Sequence, residues 1–208
     1  MKILIADDHS VVRKGLRLIL AEAYPNAVIQ EVGDAVDLLK KASKETWTVI
    51  ISDISMPGRS GVETIKELKE LVPKTPVLIL SVHAAEEYAV RTIKAGASGY
   101  LTKDSAPDEL VKAVETVVGG RRYITADIAE LLADSYNENL DKDIHQHLSD
   151  REFEVFKLLS AGNSISDMAN TLSLSVNTIS TYRARILEKM HMHNNTELIK
   201  YAIEHKLV

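Results

Sequence analysis

Three carboxylates, a hydroxyl and an amine stand in this chain at the ends of short apolar runs. Asp7 and Asp8 follow the run 3–6, Asp53 follows 49–52, Ser81 follows 77–80, and Lys103 follows 99–102. Three carboxylates confined in one pocket repel one another. A hard divalent cation relieves that repulsion, and Mg²⁺ takes a few carboxylates together with waters and phosphate oxygens. One carboxylate can instead be the nucleophile that takes up a phosphoryl group. Asp53 is the candidate, because it ends the central run and leads into the loop ISMPG (54–58), which is expected to keep its side chain exposed. Lys103 offers a positive charge to phosphoryl oxygens and Ser81 a short hydroxyl, so the pair can stabilise charge developing on transfer. Any one of these residues could simply cap a strand end. Matching chemistry at all four places argues for a site.

Residues so far apart meet only if the fold brings them together. Apolar runs at 3–6, 28–32, 49–52, 77–80 and 99–102 alternate with stretches of helical spacing, such as Val12, Leu16, Ile19 and Leu20, or Val36, Leu38, Leu39 and Ala42. Pro73 and the pair Gly119-Gly120 end two of the helices. The central runs are continuously apolar, as a sheet covered by helices on both faces requires. The run 28–32 is more polar and is expected nearer the sheet edge. Residues 1–122 therefore read as an α/β unit, a (βα)5 doubly wound parallel sheet. Right-handed crossovers put all strand carboxyl ends on one rim, where ligands of open α/β sheets bind. Tyr100, on the fifth run, reads either as a half-buried strand aromatic or as a ring that changes rotamer when Ser81 bonds a phosphoryl oxygen. Gly58 and Gly61 read as loop glycines.

The 208 residues are 45% hydrophobic, enough for one large or two small cores, and the net charge is -5. That balance suggests a soluble cytoplasmic protein, and no apolar stretch approaches the roughly 18 to 20 residues that span a membrane. The opening MKILIADDHS is cut by Asp7 and Asp8 too early for a signal peptide. With no cysteine there is no disulfide framework or thiolate metal site. Residues 146–208 hold seven Lys/Arg and seven Asp/Glu, so residues 1–145 carry the whole -5. The two parts have different electrostatic characters.

Residues 123–145 read as a linker, helix-like at Ile128, Leu131 and Leu132 and then polar, with Asn137, Asn139 and Asp141 disfavouring a regular buried element. His145 and His147 lack partners spaced to complete a metal site and read as solvated linker histidines. Residues 146–208 read as a second, all-α unit of four helices. Ser149 and Glu152 form a capping-box pattern, Ser164 caps the next helix, and a short turn at 173–175 leads to a third helix. Two short helices across such a turn are a helix-turn-helix, whose second helix enters the major groove. Its outer face offers Asn177, Thr178, Ser180, Thr181, Arg183 and Arg185, and Lys189 adds a third basic group near its end. Such side chains reach base edges or phosphates. The neutral charge of this unit favours a competing reading, a phosphotransfer or protein-interaction module that no longer reads DNA. A phosphatase with an aspartate nucleophile is a third.

The ordered set ADDH, SDISMPGRSG, ILSVH and GYLTKD, spread over residues 1–120, resembles the receiver domain of two-component response regulators. The resemblance implies phosphotransfer to Asp53 from a sensor histidine kinase or a small phosphodonor. It places Mg²⁺ on Asp8, Asp53 and the backbone carbonyl of Ser55, with Asp7 in support, and it makes Ser81 and Tyr100 the conformational relay. The second half is similar to the LuxR/FixJ-type helix-turn-helix, except that Thr178-Ile179-Ser180 stands where that family usually has Thr-Val-Lys. Together the halves resemble a full-length NarL/FixJ-type response regulator. That implies a transcription regulator rather than a turnover enzyme, a homodimer when phosphorylated, and double-stranded DNA as partner.

Overall fold

A computed structural model describes the chain apart from residues 57–58, 83–84, 138–143 and 206. The loop positions Pro57 and Gly58, His83 and the linker positions Asn139 and Asp141 lie outside the described residues. The chain divides into two compact units, Met1–Tyr136 and Asn137–Val208.

Among the described residues of the first unit, five strands make one parallel sheet: β1 (Lys2–Ala6), β2 (Val28–Val32), β3 (Val49–Asp53), β4 (Val77–Ser81) and β5 (Gly99–Thr102). Their order is β2-β1-β3-β4-β5, so the more polar run 28–32 is indeed an edge strand and β3 is central. The helices between them are α1 (Ser10–Ala23), α2 (Ala35–Lys44), α3 (Gly61–Leu71) and α4 (Ala85–Lys94). Then come α5 (Ala106–Val118) and α6 (Ala126–Asn137).

The period of two along each strand sorts the core. Ile3, Ile5, Val49, Ile51, Leu78 and Leu80 face a layer that includes Leu16 and Leu20 of α1 and Leu110 and Val114 of α5. Leu4, Ile50 and Ile79 point the other way and are just as buried, so both sheet faces are covered. Truncating a buried side chain such as Ile51 to alanine costs about 2–5 kcal/mol, the transfer term plus the cavity left behind. In α2 the buried stripe is Ala35, Leu38, Leu39 and Ala42, whereas Val36 of the sequence pattern points outward.

The second unit has a short 3-10 turn (Ile144–His147) followed by α7 (Asp150–Ser160), α8 (Ile165–Leu172), α9 (Val176–Lys189) and α10 (Asn195–Glu204). Each of the four helices is capped by the side chain before it. Ser149, Ser164, Ser175 and Asn194 accept the N–H of the third helical residue, satisfying one of the donors a helix start leaves unpaired. At Ser149 the box is complete, since Glu152 in turn accepts the Ser149 N–H at 2.8 Å. Ser173 adopts a left-handed conformation (φ 52°) at the end of α8, which turns the chain sharply into α9. Phe153, Phe156, Met168, Ile179, Ile186, Leu198 and Ala202 form the buried centre.

His145 is not a solvated linker residue. Its Nδ1 lies 3.0 Å from the Tyr201 hydroxyl, and its ring packs near Phe153, Tyr201 and His205. The 3-10 turn carries it back onto α10, a contact across 56 positions that no local pattern announces. His147 is exposed, as expected. No described helix is long and apolar enough to cross a membrane.

Candidate functional site

Strand register assembles the rim. Ala6 lies opposite Ser52 in the β1–β3 ladder, so Asp7 and Asp53 emerge side by side. Asp53 lies opposite Leu80, which leaves Ser81 one step beyond, and Ser81 pairs with Thr102, which leaves Lys103 one step beyond that. Lys103 is anchored by its own N–H, which donates to the Ser81 carbonyl at 2.7 Å. Its Nζ sits 2.7 Å from Asp7 Oδ2 and 2.7 Å from Asp53 Oδ2. The other Asp53 oxygen accepts the Ser55 N–H at 3.1 Å.

Asp53 is only 2% exposed, which corrects the expectation of an exposed side chain. The loop after β3 turns back so that the Ser55 amide covers one carboxylate oxygen, while Lys103 covers the other. Burial raises the Asp53 pKa, and the Lys103 and Ser55 hydrogen bonds offset only part of that rise. For Lys103 the balance goes the other way. Burial alone would depress its pKa, but the hydrogen bonds and charges of Asp53 and Asp7 outweigh burial and raise it.

Asp7 is fully buried and accepts the His9 N–H at 2.7 Å. Asp8 is more open and lies 2.7 Å from His9 Nδ1. One ligand atom from each of Asp7, Asp8, His9 and Asp53 falls within 4.8 Å of the others. Three carboxylates and an imidazole so close can hold a divalent cation. His9 stands outside the set that the sequence singles out, although as the fourth residue of ADDH it was legible there as a donor. Ser81 is fully buried, and so is Tyr100 at 1% exposure, deeper than the half-buried position expected. Gly61 opens α3 because nothing larger fits: a Cβ there would lie 2.1 Å from the carbonyl oxygen of Ile54, the residue after Asp53.

In the second unit, α8, the Ser173 turn and α9 form the helix-turn-helix. Asn177, Ser180, Thr181 and Arg185 are exposed on α9. The Ser180 and Thr181 hydroxyls donate to the carbonyls of Val176 and Asn177, both at 2.9 Å. Thr178 is half-buried, and its Oγ1 lies 2.7 Å from the cap Oγ of Ser175. Two of the basic residues have partners within the unit, although Lys189 stays exposed. Arg183 Nε donates to Asn195 Oδ1 at 2.7 Å, and Lys189 Nζ lies 2.6 Å from the buried Glu152.

Residues 3–115 match the family described as Response regulator receiver domain, and residues 146–202 match that described as Bacterial regulatory proteins, luxR family. The chain is a response regulator. It has the NarL/FixJ arrangement, a (βα)5 receiver domain followed by a four-helix helix-turn-helix domain. Receiver domains accept a phosphoryl group and are not turnover enzymes. This response regulator is 33% identical over 208 residues to Response regulator UvrY of Escherichia coli (strain K12), an alignment that covers 100% of the chain and 95% of UvrY. It is 34% identical over 215 residues to the Oxygen regulatory protein NreC of Staphylococcus carnosus (strain TM300), covering 100% and 99%. Among solved structures it is similar to RcsB from Salmonella enterica serovar Typhimurium bound to promoter rprA in the presence of the phosphomimetic BeF3-. That likeness has a TM-score of 0.64 and 27% identity and covers 97% of this response regulator and 98% of RcsB. RcsB is also known as two dimers bound to two parallel DNAs.

Proposed function

We propose that this response regulator takes a phosphoryl group onto Asp53 from a sensor histidine kinase and, so switched, binds double-stranded DNA as a homodimer to regulate transcription in the cytoplasm. The observation that carries the reading is Lys103 Nζ, 2.7 Å from carboxylate oxygens of both Asp7 and Asp53. An amine so held is ready to take a phosphoryl oxygen once one arrives on Asp53. In the transfer, an Asp53 oxygen forms the new P–O bond as the donor's P–N bond breaks. Asp8, Asp53 and the Ser55 carbonyl, supported by Asp7, would hold Mg²⁺, which supplies neutralising charge for the phosphoryl oxygens. Ser81 bonds a phosphoryl oxygen, and Tyr100 on the neighbouring strand responds. Residues 1–122 act as receiver, 123–145 connect, and 146–208 read DNA.

On the reading face, Asn177, Ser180, Thr181 and Arg185 point to solvent, while Thr178, Arg183 and Lys189 support the helix. The likeness to DNA-bound RcsB favours this role. The test is selection of bound DNA sequences with and without acetyl phosphate and Mg²⁺. Phosphorylation-dependent enrichment of paired half-sites is the expected result, and labelling that persists in Asp53→Ala defeats the acceptor assignment. A second reading, a protein-interaction module, is favoured by Ser180, whose hydroxyl folds back onto its own helix. Failure to enrich any sequence supports it.

A further inference from the structure

Every polar group of the buried Asp7 is tied down, and one of the ties comes from outside the rim. Its carboxylate accepts the His9 N–H and meets Lys103 Nζ, and its own N–H donates to the Val32 carbonyl at 3.3 Å. Its carbonyl is the remaining group. Strand β1 stops at Ala6, and no backbone N–H among the described residues reaches the Asp7 carbonyl. The Arg13 guanidinium takes it instead, through Nη1. Helical side chains lean toward the N-terminus, so Arg13 reaches back over the start of α1 to the rim. Arg13 is itself held from the sheet edge. Its Nε lies 3.5 Å from Glu31 Oε2 of β2, and the other Glu31 oxygen lies 3.2 Å from Arg17. Beside three carboxylates that could take its charge, Arg13 makes its ion pair with Glu31 and with none of Asp7, Asp8 or Asp53. The rim acids stay open to a cation while the backbone behind them is fixed.

We propose that Arg13 is a positioning residue for the divalent cation, acting through the peptide that joins Asp7 to Asp8 and touching neither the cation nor the phosphoryl group. The inference rests on the reading of Asp7, Asp8 and Asp53 as the cation site. The peptide plane that Arg13 holds sets where the Asp8 side chain starts. Asp8 needs that support, because its printed partner is the ring of His9, which is 65% exposed. Three roles for Arg13 predict three different signs. A fixed positive charge beside the site repels Mg²⁺, so as a charge alone its removal tightens binding. As a partner for a buried carbonyl and nothing more, its removal lowers stability and leaves Mg²⁺ affinity unchanged. As a positioning residue its removal weakens binding, since losing a group that orients a metal ligand costs about 10–100-fold in affinity.

Calorimetric titration of the full chain with Mg²⁺, together with acetyl phosphate labelling over a Mg²⁺ series, tests this. Arg13→Met keeps the aliphatic stem and should raise the Mg²⁺ Kd by at least about tenfold. Its labelling rate at saturating Mg²⁺ should match wild type, because the chemistry on Asp53 does not use Arg13. Arg13→Lys keeps the charge but loses the planar fork of donors, and its Kd should fall between the two. Arg13→Met that binds Mg²⁺ as tightly as wild type, or more tightly, overturns the proposal. So does a labelling rate that collapses at saturating Mg²⁺ while the Kd is unmoved. Where Arg13→Met does not fold, Arg13→Lys decides, and a Kd equal to or below that of wild type overturns the proposal. Wild type that binds no Mg²⁺ removes the cation site and this inference together, whereas a wild-type site indifferent to residue 13 removes the inference alone.

Discussion

Lys189 Nζ lies 2.6 Å from Glu152 Oε2, the same oxygen that accepts the Ser149 N–H. The last residue of α9 is thereby tied to the capping box that starts α7. Glu152 is almost wholly enclosed, so its charge must be met inside the domain. Burial would push its pKa up, but the Lys189 and Ser149 hydrogen bonds outweigh burial and lower it. The end of α9 is thus joined to α7 through an ion pair that is itself part of a helix cap.

If Lys189 positions α9 rather than touching phosphate, Lys189→Gln should destabilise the domain by about 1–3 kcal/mol, the cost of leaving a buried charged group short of a partner. It should weaken DNA binding without changing the salt dependence. Arg185→Ala, at an exposed position, should flatten the slope of log K against log[salt] by about 0.9 for each phosphate that the arginine neutralises in the wild type. Fluorescence titration at several salt concentrations separates the two roles.

A glutamate whose folded pKa is lowered adds stability above its unfolded pKa, and that stability is lost as pH falls through the folded value. Wild-type protein should therefore lose this contribution as pH drops below about 4.5, the ordinary glutamate value. Glu152→Gln should be less stable at pH 7, and the gap to wild type should close in acid. Urea unfolding at pH 7, 5 and 3.5, followed by a helical signal, measures it.

Asp53 is a buried carboxylate with a raised pKa, so its charge is a burden on the apo protein at neutral pH. Asp53→Asn should raise the thermal midpoint without Mg²⁺ by a few degrees, about 2–4 °C per kcal/mol for a chain this size. Mg²⁺ at about 100 times its Kd should then stabilise wild type by about 2.7 kcal/mol, and the variant by less. Equal Mg²⁺ shifts in both proteins would remove Asp53 from the cation site.

Gly61→Ala should be costly, because its Cβ would fall 2.1 Å from the Ile54 backbone oxygen. Overpacking of this kind costs about 1–3 kcal/mol, and relief requires the loop after Asp53 to move. Acetyl phosphate labelling should slow together with the drop in thermal midpoint. A stable variant labelled at the wild-type rate would show that the loop is free to shift.

The rim was legible because its logic is topological. Parallel strands joined by right-handed crossovers share one carboxyl edge, and apolar runs ending in Asp, Ser and Lys can be counted along the chain. The helix caps were legible because they are local, as Ser149 with Glu152 and Ser164 with Asp167 illustrate. The burial of Asp53 was not, since it depends on Lys103, fifty positions away, lying across one carboxylate oxygen. The role of His145 was hidden for the same reason, its partner Tyr201 being 56 positions distant. Lys189 read only as a third basic group near the end of its helix, because its partner Glu152 lies 37 positions away.

By itself, then, the sequence determined the order of strands and helices, the identity of the rim residues and the two-unit plan. These follow from periodicity and from end signals that act over a few residues. Only the tertiary structure decided which charges are spent internally. Whether Arg183 and Lys189 have partners in Asn195 and Glu152, and whether Asp53 is open or covered, depends on distances between groups far apart in the chain. Charge–charge energies and desolvation are set by those distances and by burial, which residue spacing along the chain does not encode.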